Sequence, residues 1–164
     1  NPYMHYIELR NSPVRIGNMR DGGVHIYQMD AREIGWQGPD QFDYTEWDAR
    51  VVELLSYDPD AWIIPSFTFD GRHQRWWVDD HPEELCVNAQ GSTSVGIYHS
   101  AGTITSLASQ LWRDESGEAL RKFVNHCRSM PYSTRIIGYH PASGVSWEWQ
   151  HWGSVGDFPP TDYS

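Results

Sequence analysis

Three short runs of strand-forming residues, separated by two amphipathic helical stripes, constrain this chain more than any other feature. Val24-His25-Ile26-Tyr27-Gln28-Met29 follows the Gly22-Gly23 punctuation and predicts a first strand near 24–29. After a Gly/Pro-rich stretch from Gly35 to Pro39, Thr45-Glu46-Trp47-Asp48 resembles a capping box opening a helix. Trp47, Val51, Leu54 and Leu55 then recur at i, i+4, i+7 and i+8, one apolar stripe near 45–57 that Asp58-Pro59 stops. Ala61 to Phe69 predicts a second strand, apolar on both faces, in which Pro65 removes one ladder donor. Trp112, Ala119, Leu120, Phe123, Val124 and Cys127 line a second helix near 109–129, which Gly117 weakens locally. Arg135 to His140 predicts a third strand.

Buried strands that alternate with helices imply a parallel sheet joined by right-handed crossovers. An open doubly wound sheet and a (β/α)8 TIM barrel both satisfy that pattern. No glycine-rich phosphate loop follows any strand, which disfavours a nucleotide-binding sheet. A full barrel takes ~250 residues. The 164 residues here hold about three strand–helix units, so the expectation is an α/β chain forming part of one barrel domain over 1–164. The Pro159 to Ser164 tail adds no closing element, in agreement with a partial barrel.

Charge narrows the partners. With 22 acidic residues against 12 Lys and Arg, the surface is unsuited to nucleic acid, whose phosphates need a basic face. The apolar runs are too short to span a bilayer, so no membrane partner is expected. Cys86 and Cys127 allow at most one bridge, and Cys127 falls on an apolar helical face as a buried thiol. Neither charge nor cysteine content fixes a compartment or an oligomeric state.

Nine Trp and nine Tyr exceed what a core of this size usually needs. Trp76-Trp77 and the group Trp147, Trp149 and Trp152 fall in segments read as loops, where aromatic platforms stack on the apolar faces of sugar rings. The segment from Asp70 to Leu107 is read as a long irregular loop, and loops of that length are usually functional. In a barrel, chemistry gathers at the C-terminal ends of the strands. Those ends here are Asp30, Asp70, and His140 leading toward Glu148. For each Asp the commoner fate is a loop cap; three polar ends converging on one rim carry more weight than any one of them.

Glu148 is the sharpest candidate. It is the only carboxylate between Arg135 and Asp157, and it stands between Trp147 and Trp149. Apolar neighbours raise a carboxyl pKa, as a general acid near neutral pH requires. A surface glutamate among loop tryptophans is the structural alternative.

Ile136-Ile137-Gly138-Tyr139-His140, followed by Gly144-Val145-Ser146-Trp147-Glu148-Trp149, resembles the fourth-strand signature of β-galactosidase-like clan A glycoside hydrolases. Gln41-Phe42-Asp43-Tyr44-Thr45-Glu46-Trp47-Asp48 is similar to their segment opening the helix after strand two. Trp76-Trp77-Val78-Asp79-Asp80-His81-Pro82-Glu83-Glu84 is similar to their loop after strand three. The motifs cover roughly residues 22 to 155 in the family's order. The resemblance implies strands two to four of a catalytic barrel and Glu148 as acid/base. It further implies that the nucleophile belongs to strand seven, outside this chain, so that the chain alone is inactive. Trp147 stands where the family has Asn, and the Gly138-to-Glu148 interval is longer than usual, which points to a different sugar preference.

The expected partner is therefore a carbohydrate, bound by Asp30, Asp70, Trp76, Trp77, His81, His140, Trp147 and Trp149 around Glu148. No cofactor is called for. Asp70, His73, Asp79, Asp80 and His81 are chemically fit for a metal, but no H-E-x-x-H or C-x-x-C spacing is present, so no metal site is expected. His81 before Pro82 is read as ordering its loop or contacting substrate. A non-catalytic carbohydrate-binding domain and an inactive barrel relative are the competing functions. Binding modules of this size are mostly β-sandwiches, which the helical stripes disfavour.

Overall fold

The computed structural model describes residues 12–31, 34–71, 74–87, 91–93, 95–97 and 100–142. Its centre is a three-stranded sheet of β1 (Ile26–Asp30), β4 (Trp62–Thr68) and β7 (His140–Ala142), in the order β1-β4-β7. Both pairings are parallel, so the strands lie side by side in chain order, as the alternating pattern requires. Between β1 and β4 come a short antiparallel hairpin, β2 (Trp36–Gly38) with β3 (Gln41–Phe42), and helix α2 (Thr45–Tyr57). Between β4 and β7 come α3 (Arg75–Asp80), a 3-10 turn at Pro82–Glu84, the hairpin β5 (Val95–Ile97) with β6 (Ser100–Gly102), and α4 (Gln110–Ser129). Helix α1 (Pro13–Asp21) precedes β1.

Side chains alternate along a strand, which gives the sheet two different faces. Tyr27 and Met29 of β1 and Ile63 and Phe67 of β4 are buried on one face. Phe123 of α4 meets Phe67 there at 6.3 Å between ring centroids and Trp47 of α2 at 5.3 Å. Both long helices thus pack on the same side. Val51 and Leu54 of α2, and Trp112, Ala119 and Cys127 of α4, complete this core. The opposite face carries Gln28 and Asp30 of β1, Ile64, Ser66 and Thr68 of β4, and His140 of β7. The expectation that β4 is apolar on both faces is therefore corrected: Ser66 and Thr68 are buried polar residues on the face away from the helices.

Four further differences from the sequence expectations have physical causes. Thr45 does not cap α2; it is the first helical residue, and Asp43 accepts its amide at 2.9 Å through Oδ1. The third strand starts later than expected because Ser133–Arg135 wind into a 3-10 turn, leaving Ile136 as an isolated parallel bridge to Ile63. The stretch from Asp70 to Leu107 is not one irregular loop but holds α3, a 3-10 turn and a hairpin. Finally, α1 begins at Pro13 with Ser12 as its cap, whose hydroxyl accepts the Arg15 amide at 3.0 Å.

Candidate functional site at the strand ends

The parallel register places Asp30, Ser66 and His140 in one row across the three strands, on the face away from the helices. One turn of the pleat below, Gln28 reaches up into this row. Its Nε2 donates to Ser66 Oγ at 2.8 Å and lies 3.1 Å from Nδ1 of His140. Ser66 Oγ is itself 2.9 Å from the same Nδ1. Three strands thus contribute one polar side chain each to a compact cluster: Gln28 from the middle of β1, Ser66 from β4, and His140, which opens β7 and does not end its strand as the sequence predicts. Ser66 is almost fully buried in it, while Gln28 and His140 keep partial exposure. Polar groups in such a place persist only when paired, because a buried unpaired donor or acceptor is costly.

Asp70 follows β4 by two residues and is fully buried. Its carbonyl accepts the Thr105 amide at 2.9 Å, which fixes the return of the long excursion to the strand end. Gly71 turns the chain there with φ +76°, in the left-handed region that favours glycine. A Cβ on Gly71 would stand 2.4 Å from Cγ2 of Thr105, a fully buried residue.

The aromatic residues of this end form a cluster of their own. Trp36 meets Trp76 edge-on at 5.1 Å and Trp112 in a stack at 5.9 Å. Trp77 meets Trp112 at 4.7 Å, and Trp112 donates its indole N–H to the Phe69 carbonyl at 3.2 Å. Trp76 and Trp77 belong to α3 and not to an exposed loop. Trp77 is wholly buried, and its Nε1 donates to Glu115 Oε2 at 2.6 Å. A ring enclosed in this way packs helix against helix and presents no open face. Trp76 is half-buried, with its indole nitrogen enclosed and without a hydrogen-bond partner among the described residues. His81 closes α3: its Nδ1 donates to the Trp77 carbonyl at 3.0 Å, and its ring stacks on Trp77 at 4.4 Å. It orders the chain ahead of Pro82.

Glu148, Trp147 and Trp149 lie outside the described residues, as do Trp152 and His73. Among the described residues, no group of three or more His, Cys, Asp or Glu is arranged to hold a metal ion. No helix among them is long and apolar enough to cross a membrane. Sequence reasoning named Asp30 and His140 but missed Gln28 and Ser66, which complete the row. Their signal was present as polar residues inside otherwise apolar runs, at positions whose side chains fall on the face opposite Tyr27 and Phe67.

No protein-family model matches this chain, and no curated protein matches it significantly. Solved structures do. The β-galactosidase from Bacillus circulans sp. alkalophilus superposes with a TM-score of 0.55 at 15% identity, over 84% of this chain and 19% of that one. That from psychrophilic Marinomonas ef1 gives 0.59 at 18% identity, over 84% and 20%. The enzyme from the Antarctic haloarchaeon Halorubrum lacusprofundi gives 0.57 at 14% identity, over 85% and 20%. The chain has a β-galactosidase-like fold, and it spans about a fifth of the length of the structures it matches. At such identities the likeness concerns the fold alone.

Proposed function

We propose that this chain forms part of the (β/α)8 catalytic barrel of a retaining, β-galactosidase-like glycoside hydrolase. The observation that carries the reading is the sheet itself: parallel strands in chain order, both long helices on one face, and polar side chains in a row on the other. A barrel wall has that asymmetry, because helices cover its outside and polar groups collect where the strands end inside. The superposition on β-galactosidases supports the same arrangement.

In this reading Glu148 is the general acid that protonates the leaving-group oxygen and then the general base that activates water. Asp30 at the end of β1, Asp70 just after β4 and His140 in β7 serve as sugar ligands, and Trp147 and Trp149 supply its apolar surroundings. Retention needs a second carboxylate ~5–5.5 Å from the first as nucleophile. That group would come from a later strand of the barrel, beyond the residues of this chain.

The test is Glu148→Gln in the complete barrel, with an activated aryl β-galactoside and a natural disaccharide as substrates. Loss of the transferable proton removes ~10²–10⁴-fold from the disaccharide reaction, while the aryl substrate still releases its first equivalent of alcohol in a burst. Azide, which needs no general base, then restores part of the turnover. Disaccharide hydrolysis within a few-fold of wild type would remove Glu148 from the role.

A further inference from the structure

We infer that the sheet face turned away from the helices is an interface where β1 and β4 begin, covered by further strands of the same barrel, and that those strands bring a carboxylate to the guanidinium of Arg135. The identity of the covering body rests on the barrel reading proposed above; the chemistry it must have is read from the face itself.

The face changes character along its strands. Around Ser66 it is polar and closed, with Ser66 almost fully buried. At the start of β1 and β4 and just ahead of β7 it carries Ile26, Trp62 and Ile137, which are 38%, 41% and 50% exposed. Ile26 and Trp62 are register partners, so their side chains stand side by side. Ile137 belongs with them. Ile136 bridges Ile63 and packs on the helix-covered core, so the next residue turns to the opposite face, and its amide donates to the Ile63 carbonyl at 3.1 Å. Three adjacent strands thus expose one apolar patch, and such a patch marks a surface that a partner covers. The interior of a (β/α)8 barrel is filled by layers of side chains from all its strands, and this patch has the composition of one sector of a layer.

Arg135 gives the patch a charge requirement. Its guanidinium lies over the Trp62 ring, 5.6 Å from the centroid, with no carboxylate in salt-bridge reach among the described residues. In water that contact stands on its own. A body that buries the Trp62 ring also takes the guanidinium lying over it out of water, and a buried cation without a partner is strongly destabilising. The covering strands must therefore be apolar and carry an acidic side chain at this point, for which the planar fork of arginine is well suited. A second copy of this chain does not meet that need. Face to face, it would set one Arg135 against another, and the face's own carboxylate, Asp30, stands at the opposite end of β1 from Ile26.

Fluorine NMR of protein labelled with fluorotryptophan tests the cover, the Trp62 line being the one that Trp62→Phe removes. A soluble gadolinium chelate broadens the lines of solvent-exposed rings. The Trp62 line is expected to broaden in this chain alone and to stay sharp in the complete barrel. Arg135→Met keeps the side chain's length and removes its charge, leaving the covering carboxylate buried without a partner. It is expected to lower the urea midpoint of the complete barrel at about pH 7.5, and the gap to wild type is expected to close toward about pH 5, as that carboxylate takes up a proton. Lost packing on Trp62 alone would leave the gap equal at both pH values, so a gap independent of pH overturns the carboxylate. A Trp62 line broadened as strongly in the complete barrel as in this chain overturns the interface, whether or not Arg135→Met folds. A line already protected in this chain by self-association makes a second copy the occupant and overturns it too. A complete barrel that shields Trp62 yet cleaves no glycoside upholds the inference and counts against the glycosidase reading alone.

Discussion

The indole nitrogen of Trp77 and the carboxylate of Glu115 meet at 2.6 Å, joining α3 to α4 at a point where Trp77 has no exposed surface. Adjacent tryptophans in a sequence invite one shared role, and here they have two. Trp77→Phe removes the donor and leaves Glu115 facing a smaller, apolar ring. The expected loss is about 2–3 kcal/mol, combining an unpaired charged acceptor with lost packing. Trp76→Phe trims a half-buried ring that meets Trp36 edge-on and gives up an indole N–H that has no partner among the described residues, so it costs about 1 kcal/mol or less. Urea denaturation of the two variants side by side checks the contrast.

Two glycines respond to alanine with opposite signs. Gly71→Ala places a Cβ against Thr105 at a φ that L residues avoid, and it costs about 1–3 kcal/mol. Gly117, in the interior of α4, has nothing within 4 Å of the position a Cβ would take. Gly117→Ala stabilises by about 0.5–1 kcal/mol through helix propensity. Thermal melts of both variants read the two signs.

Alkali is expected to unfold the protein through its core. Burial pushes the Cys127 thiol from 9.0 up to about 12, and the Tyr44 and Tyr139 phenols from 10.0 up to about 12. Each group holds its proton more tightly folded than unfolded. The stability they supply is therefore complete below their unfolded values and is lost as pH rises from about 9 toward 12. Urea midpoints should fall steadily over that window, and Cys127→Ala should flatten part of the fall. An unchanged slope in the variant would remove Cys127 from the account.

Thiol chemistry offers an independent check of the same burial. The thiolate is the reactive form, and burial raises both cysteines. Alkylation at pH 8 should modify half-buried Cys86 slowly and Cys127 only at the rate of global unfolding. Mass spectrometry of the time course separates the two sites.

The helices were the most legible part of the sequence. The stripe from Trp47 to Leu55 and the stop at Asp58-Pro59 mark α2 to its last residue, because packing and propensity agree there. The start of α4 was equally plain, with Ser109 accepting the Trp112 amide at 2.9 Å. The third strand was legible in kind but not in place. Nothing local to Arg135 reveals that Arg135 and Ile136 donate back to Tyr132 and Ser133 as the chain turns out of α4. Helix α1 escaped because its apolar stripe is reduced to Ile16 and Met19, although Ser12-Pro13 carried the start signal. At the site, Asp30 was found by strand position, whereas His140 was expected to end its strand and instead opens β7. Gln28 and Ser66 were not found, because their meaning depends on which residue of a distant strand lies beside them.

That distance has a kinetic side. Gln28 and Ser66 are 38 positions apart, whereas Ser66 and His140 are 74 apart. Each doubling of a loop adds only about 0.6 kcal/mol of closure entropy, yet contacts across the longer loop are made only once α3, the hairpin and α4 have been gathered in. The β1–α2–β4 unit is therefore the natural nucleus, and β7 joins last, on a preformed template. Amide exchange should show it: slow at Ile63 and Phe67, faster in β7. The imidazole is thus the last member of its row to arrive and the first to leave, so a weakly denatured population would lose the histidine while the rest of the sheet still stands.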